Sequence, residues 1–298
     1  MSDLIMPVGG PRFAPRAPDQ VNAYVRAVYE KSVATWGIPN NLIRTMACSP
    51  QLALTEVDYA NSFIFDEGTY ITWPRPGGEG TVLFPAAGFI DRVTKELVIN
   101  LISLLNRSRY SITHHTVIGW STLLAGISGD SDQERRQKAE AMLLNLVEHA
   151  GRANFENKRF RDAPLYTEFQ LACMRLAVKI RDSSHSITDE DLRQMAAIAK
   201  REAAARIAAS PLATQFPGGA PDDAYMDMFV DGMLVELTWC IVHFNGLLNH
   251  WFTVLRVRDE ENAERDGIDF VSVYNSVVPE SIKVRNNNLL GKSGWGHS

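Results

Sequence analysis

Apolar residues recur along most of the chain at three- and four-residue intervals, the spacing that places them on one face of a helix, whereas strand-like alternation is sparse. Residues 1–18 lack any period and carry four prolines and two adjacent glycines, so they read as an arm laid over the surface. The spacing of Val21, Tyr24, Val25 and Val28 predicts a helix capped by Asp19 and stopped by Gly37 and Pro39. Asn40 and Ser49-Pro50 predict two further helix starts, the second with proline at its first position. Over 66–88 the pattern fails. The run from Trp73 to Gly80 cannot continue a helix, and Thr81 to Pro85 allows at most one short extended piece. An insertion of this length suits a lid, a subunit contact or a neutral loop.

Two apolar helical patterns then meet at a short polar joint between residues 89 and 125. The first is apolar almost all round, as in a helix buried on most of its circumference. Beyond it, Ser131 with Glu134 predicts a capped helix through His149, a further helix spans about 163–182, and Thr188 caps another to about 209. Pro and Gly mark a loop over 210–222. A long apolar pattern to about 256 then carries Glu236, His243 and His250 at intervals of seven. Residues 258–298 begin charged and end rich in Asn and Gly, which reads as an extended tail. The expectation is all-α: one domain of about eight or nine helices over 19–257, with extended terminal arms.

Composition narrows the class. The chain is 45% hydrophobic and 22% charged, as in an ordinary globular protein. A formal charge of −5 with scattered Lys and Arg favours neither nucleic acid nor an anionic membrane surface. Three widely spaced cysteines, Cys48, Cys173 and Cys240, make neither a disulfide framework nor a metal cluster, and no apolar stretch reaches membrane-spanning length. A soluble, cytoplasmic protein with a small-molecule substrate is expected.

The chemistry concentrates at the joint. Glu96, Asn100, Ser103 and Arg107 form one polar stripe on the first helical pattern, while Ser108, Ser111 and His115 share a face of the second. The order Glu96, Ser108, Ser111, His115 resembles the E-x11-C-x2-C-x3-H motif of the AhpD-like, or carboxymuconolactone decarboxylase-like, superfamily, with serine at both cysteine positions. Trp36-Gly37-Ile38-Pro39-Asn40 with Ser49-Pro50, and Val242-His243-Phe244-Asn245, resemble other segments of that family. The resemblance implies an AhpD-like helical fold and self-association as a trimer or a multiple of it. It also implies a proton relay between Glu96 and His115, with Ser111 and Ser108 beside them.

Serine has no thiolate-like state or disulfide couple, so thiol peroxidase chemistry at these positions is excluded. The reading that follows is a cofactor-free, metal-free acid–base enzyme of decarboxylase, lyase or isomerase type, acting on a small anionic or aromatic carbonyl compound. A degenerate alkylhydroperoxidase-like protein that binds without turnover stays open, as does a Ser-His-Glu hydrolase, although no G-x-S-x-G elbow occurs. Arg107 and Arg109, flanking the start of the second helix, are expected to hold an anion, with Tyr110, Asn100 and His243 also contacting substrate. His114 should point about 100° from His115, behind the site or at the surface.

Overall fold

Asn22, rather than Asp19, opens the first helix. Its side chain accepts from the Val25 amide, α1 runs Ala23–Trp36, and Gly37 ends it in the left-handed region at φ 74°. The computed structural model describes residues 11–38, 40–65, 69–150, 157–216, 218 and 220–291; the first ten residues of the N-terminal arm, Pro39 and the last seven residues of the tail lie outside them. Within the arm, Arg12 donates from its amide to the Leu255 carbonyl at 3.0 Å and Arg16 to that of Arg44 at 3.2 Å, so residues 12–16 lie against the helical body. Asn40 caps α2 (Asn41–Met46), and Pro50 begins α3 (Pro50–Tyr59), which passes into a π-helical turn over Ala60–Phe65.

The 66–88 stretch contains more order than one extended piece. Tyr70–Pro74 (β1) and Thr81–Pro85 (β2) form an antiparallel hairpin with Tyr70 opposite Pro85 and Pro74 opposite Thr81. The prolines sit at strand ends, where a missing N–H costs no inner ladder bond. Val82 and Phe84 are buried on alternate positions. Phe84 packs edge-on against Phe89, Tyr225 and Phe229, and this aromatic cluster ties the hairpin down.

The central helix is α4 (Arg92–Leu105), capped by Asp91 and buried at every position from Thr94 to Leu104. Around it pack α5 (Arg109–Gly126), α6 (Asp132–His149), α7 (Glu168–Ser183) and, after α8 (Asp189–Ala208), α9 (Asp223–Val242). A two-residue ribbon, β3 (Arg159–Phe160) with β4 (Ala163–Pro164), precedes α7, which starts later than expected because Thr167 supplies its capping box. The chain enters α4 through a buried carboxylate. Glu236 of α9 accepts from the amides of Gly88, Phe89 and Ile90 and pairs with Lys95 at 2.8 Å, so neither buried charge is left alone.

α9 runs into a second π-helical segment, His243–Asn249, and then α10 (His250–Leu255). This changes the expected face. A π turn adds about one residue per turn, so residues seven apart no longer align. Glu236 and His243 are buried while His250 is exposed.

The C-terminal segment corrects the expected extended tail. It folds as α11 (Ala263–Asp266), α12 (Phe270–Val277) and α13 (Glu280–Gly291), with α12 on α5 and α13 on α6. Phe270, Tyr274, Ile282 and Leu290 are buried. Asn286, read in sequence as part of the extended tail, donates inside to the Tyr274 hydroxyl at 3.0 Å and the Thr116 hydroxyl at 3.3 Å.

Candidate active site

Asn100 and Ser103 of α4 each bond across to α5. Asn100 Nδ2 donates to the Glu96 carbonyl and to the His115 carbonyl, both at 2.8 Å. The crossing needs Gly119, since a Cβ there would lie 2.5 Å from Asn100 Nδ2. One turn further along, Ser103 and Ser111 share a hydrogen bond at 2.7 Å. Ser103 spends its own proton on the Ile99 carbonyl, so Ser111 must be the donor to Ser103.

Across this joint His115 Nδ1 meets Glu96 Oε2 at 3.1 Å, and the other Glu96 oxygen pairs with Arg92 one turn back. Burial pushes the Glu96 carboxyl up, but Arg92 and then His115 outweigh it and hold the group below its ordinary value. An ionised Glu96 accepts the Nδ1 proton, which fixes the tautomer and leaves Nε2 as the basic nitrogen. His115 lines a cavity of about 300 Å³. The walls are largely apolar, with Leu42, Ile64, Leu248 and Phe252 among them. Both π-helical segments contribute: Ala60 and Ile64 from the first, Phe244 and Leu248 from the second. The Phe244 ring stands edge-on to His115 at 5.0 Å.

Two more histidine–carboxylate pairs border the same cavity. His114 donates from Nδ1 to the Tyr110 carbonyl at 2.9 Å, and Nε2 meets Glu260 at 2.8 Å. Its ring lies between Tyr110 and Phe270, at centroid distances of 4.1 and 4.3 Å. Burial disfavours the imidazolium, yet Glu260 and Asp259 prevail and raise the His114 pKa. In the third pair the carboxylate faces the cavity: Glu56 accepts from His243 Nε2 at 3.2 Å, and the His243 ring lies 4.0 Å from that of Tyr59.

The expected site residues therefore divide. Glu96, His115 and Ser111 come together, and Tyr110 joins the cavity wall with its hydroxyl held by Asn40, Leu42 and Glu260. Ser108 begins α5 as its cap position demands, but its buried hydroxyl has no hydrogen-bond partner among the described residues and lines no part of the cavity. Arg107 falls past the end of α4 in a left-handed conformation, φ 52°, also away from the cavity. Arg109 is committed to Asp259, so the anion expected at the start of α5 is the chain's own carboxylate. Asn100 positions rather than binds, and His243 stands behind Glu56. His114 is on the cavity instead of behind it.

Sequence reasoning missed Glu56 and Glu260. Neither falls in a local motif, and their partners are 187 and 146 residues away. No cysteine lines the cavity; Cys173 and Cys240 are buried, and burial pushes the Cys240 thiol up to about 12. Among the described residues no cluster of three or more His, Cys, Asp or Glu could hold a metal ion, and no helix is long and apolar enough to cross a membrane.

No family model matches the sequence, and no curated protein does. Among solved structures the chain is similar to one described as the alkylhydroperoxidase AhpD core, an uncharacterized peroxidase-related protein from Ralstonia eutropha JMP134. The two share 15% identity over 87% of this chain and 96% of that one, with a TM-score of 0.49.

Proposed function

We propose that the protein is a cofactor-free acid–base enzyme of the decarboxylase, lyase or isomerase type, acting on a small, flat carbonyl compound. One observation carries this reading: His115 has Nδ1 tied to an ionised Glu96 while the ring borders an apolar cavity that can take a ligand. In such a site Nε2 removes a proton from a carbon next to a carbonyl, and Glu96 stabilises the imidazolium that forms. The same imidazolium then returns the proton at a different atom; in a decarboxylation no carbon proton is removed first, the C–C bond to CO2 breaks, and a His115 imidazolium protonates the carbanion that remains. Ser121 and Thr122, on the next turns of α5, offer hydroxyls at the cavity edge for a substrate oxygen.

The motif spacing from Glu96 to His115 supports the same reading, with serine in place of both cysteines. A site packed solid around Glu96 and His115 would have favoured a protein that binds without turnover; the cavity favours the enzyme. The Ser-His-Glu hydrolase has less support, because the Ser111 proton goes to Ser103 rather than to His115.

The test is proton exchange. Small aromatic and hydroxylated carbonyl compounds incubated with the protein in D2O should lose the NMR signal of the carbon-bound proton, and both Glu96→Gln and His115→Asn should abolish the loss. Exchange that persists in both variants would overturn the proposal. Hydroperoxide reduction with dithiol donors should be absent; turnover stopped by alkylating the cysteines would contradict it. Self-association belongs to the same proposal: Val235, Trp239, Val242 and Val254 are exposed along α9 and α10, apolar surface that a trimer would cover. A monomer by light scattering at micromolar concentration would remove that part.

A further inference from the structure

Glu56 is 95% buried, with 5% of its surface exposed, and it borders the cavity beside His115. Its Oε1 takes the His243 proton, while Oε2 has no hydrogen-bond or ion-pair partner among the described residues. Oε2 is not sealed inside the wall, and an oxygen of a largely buried carboxylate that accepts from no neighbouring group takes its donors from the cavity side. Among the described residues no Lys or Arg lines the cavity, and Arg92 is spent on Glu96 and Arg109 on Asp259. The His114 nitrogens are likewise taken by the Tyr110 carbonyl and Glu260. The donors that Glu56 lacks must come from whatever occupies the cavity.

We propose that Glu56 is the recognition group of this cavity, and that the ligand is a flat, apolar molecule bearing a neutral hydrogen-bond donor, a phenolic or enolic hydroxyl, rather than a carboxylate. This deepens the acid–base reading and rests on it only for the chemistry that follows binding. Glu56 Oε2 accepts the ligand hydroxyl, and the apolar body lies along Phe244, whose ring is 5.5 Å from His243 and 5.0 Å from His115. Glu56 and His115 line the same cavity, so a ligand held by its hydroxyl at one is bound beside the other. A carboxylate in the same place would face Glu56 with no cation to offset it. The anionic substrate expected from Arg107 and Arg109 is thereby replaced by a neutral one, which narrows the acid–base reading to isomerase or lyase chemistry and away from decarboxylation.

Two probes of one shape, p-cresol and p-toluate, separate the possibilities by calorimetric titration at pH 7. The wild-type protein should bind p-cresol at least about tenfold more tightly, the discrimination expected from a hydrogen bond to a buried charge. Glu56→Gln, whose amide can also donate to a carboxylate, should shrink that ratio to about threefold or reverse it. Glu56→Asp keeps the charge and withdraws the oxygen by one methylene; it should weaken p-cresol while p-toluate stays excluded, and it decides the matter if the Gln variant does not fold. Ala60→Leu, which fills the cavity, should remove binding of both. The proposal is overturned if p-toluate binds the wild type as well as p-cresol, if neither binds, if Glu56→Gln leaves the ratio unchanged, or if Ala60→Leu leaves p-cresol bound. Because the ratio is read from binding alone, an intact ratio with no proton exchange would sink only the acid–base reading.

Discussion

His114 and His115 are neighbours in sequence, on one helix and bordering one cavity, yet the fold gives them opposite work. His115 keeps one nitrogen on a carboxylate and one uncommitted beside the cavity. Both nitrogens of His114 are spoken for and both ring faces are covered. The carboxylates differ in the same way. Glu96 is held by Arg92 from its own helix, whereas Glu260 arrives from the C-terminal segment and also takes the Asn41 amide and the Tyr110 hydroxyl. His114 thus fastens α5 to the segment that follows α10. A perturbed, buried histidine is a catalytic candidate only if one of its nitrogens has nothing else to do.

The largest effect that separates the two is on stability. Glu260→Gln should destabilise the protein by about 3–5 kcal/mol, since it leaves buried donors that were matched to a carboxylate. Proton exchange per folded molecule should change little. Urea melts followed by circular dichroism provide the measurement. The pH dependence has a defined sign. Because folding raises the His114 pKa above its ordinary 6.5, the native state holds a proton that the unfolded chain gives up. That stabilisation is complete below about pH 6.5 and lost as pH rises through the raised value; His114→Gln should flatten this part of the stability curve.

Next comes catalysis. Glu96→Gln and His115→Asn should each lower the exchange rate about 10²-fold or more, and the double variant should lose far less than the product, because the pair acts as one unit. Glu96→Gln also leaves Arg92 short of its partner, so a lower melting temperature accompanies the rate loss in this variant. The folding of Glu96 depends on pH with the opposite sign to His114. Its depressed pKa gives stability that is present above 4.5 and disappears as pH falls through the native value.

Smaller effects test the scaffold. Asn100→Ala removes the bond that ties α4 to the His115 carbonyl of α5, together with its own-helix bond to Glu96, and should cost about 1–2 kcal/mol, with exchange slowed up to about tenfold as His115 loses its register. Ser111→Ala, which deletes a donor while Ser103 keeps its Ile99 bond, should cost about 1 kcal/mol. Ser108→Ala should be neutral or slightly stabilising in melts, because it removes a buried hydroxyl that has no hydrogen-bond partner among the described residues. A loss of exchange in Ser108→Ala that matched His115→Asn would put Ser108 back in the reacting group.

Much of the fold was legible because it is local. The periods, the Asn40, Ser131 and Thr188 caps and the stop at Gly37 depend on residues within one or two turns, and they place α2, α6 and α8. The pairing of Glu96 with His115 was legible for a related reason: a short joint between two antiparallel helices leaves few ways to face each other. Where sequence reading failed, a distant partner decided. The Phe89, Tyr225 and Phe229 rings turned a Pro- and Gly-rich loop into a hairpin, and the α5 and α6 surfaces turned an Asn-rich tail into helices.

The site divides along the same line. By itself the sequence determined that a carboxylate, two hydroxyls and an imidazole would share a helical hairpin without a thiol, because the 3.6-residue period constrains faces within and between adjacent helices. Only the tertiary structure decided that Arg109 is spent on Asp259, that His114 is a clasp, and that Glu56 meets the cavity. Those outcomes depend on side chains more than a hundred residues apart competing for the same buried partners, and no local period encodes which of them wins.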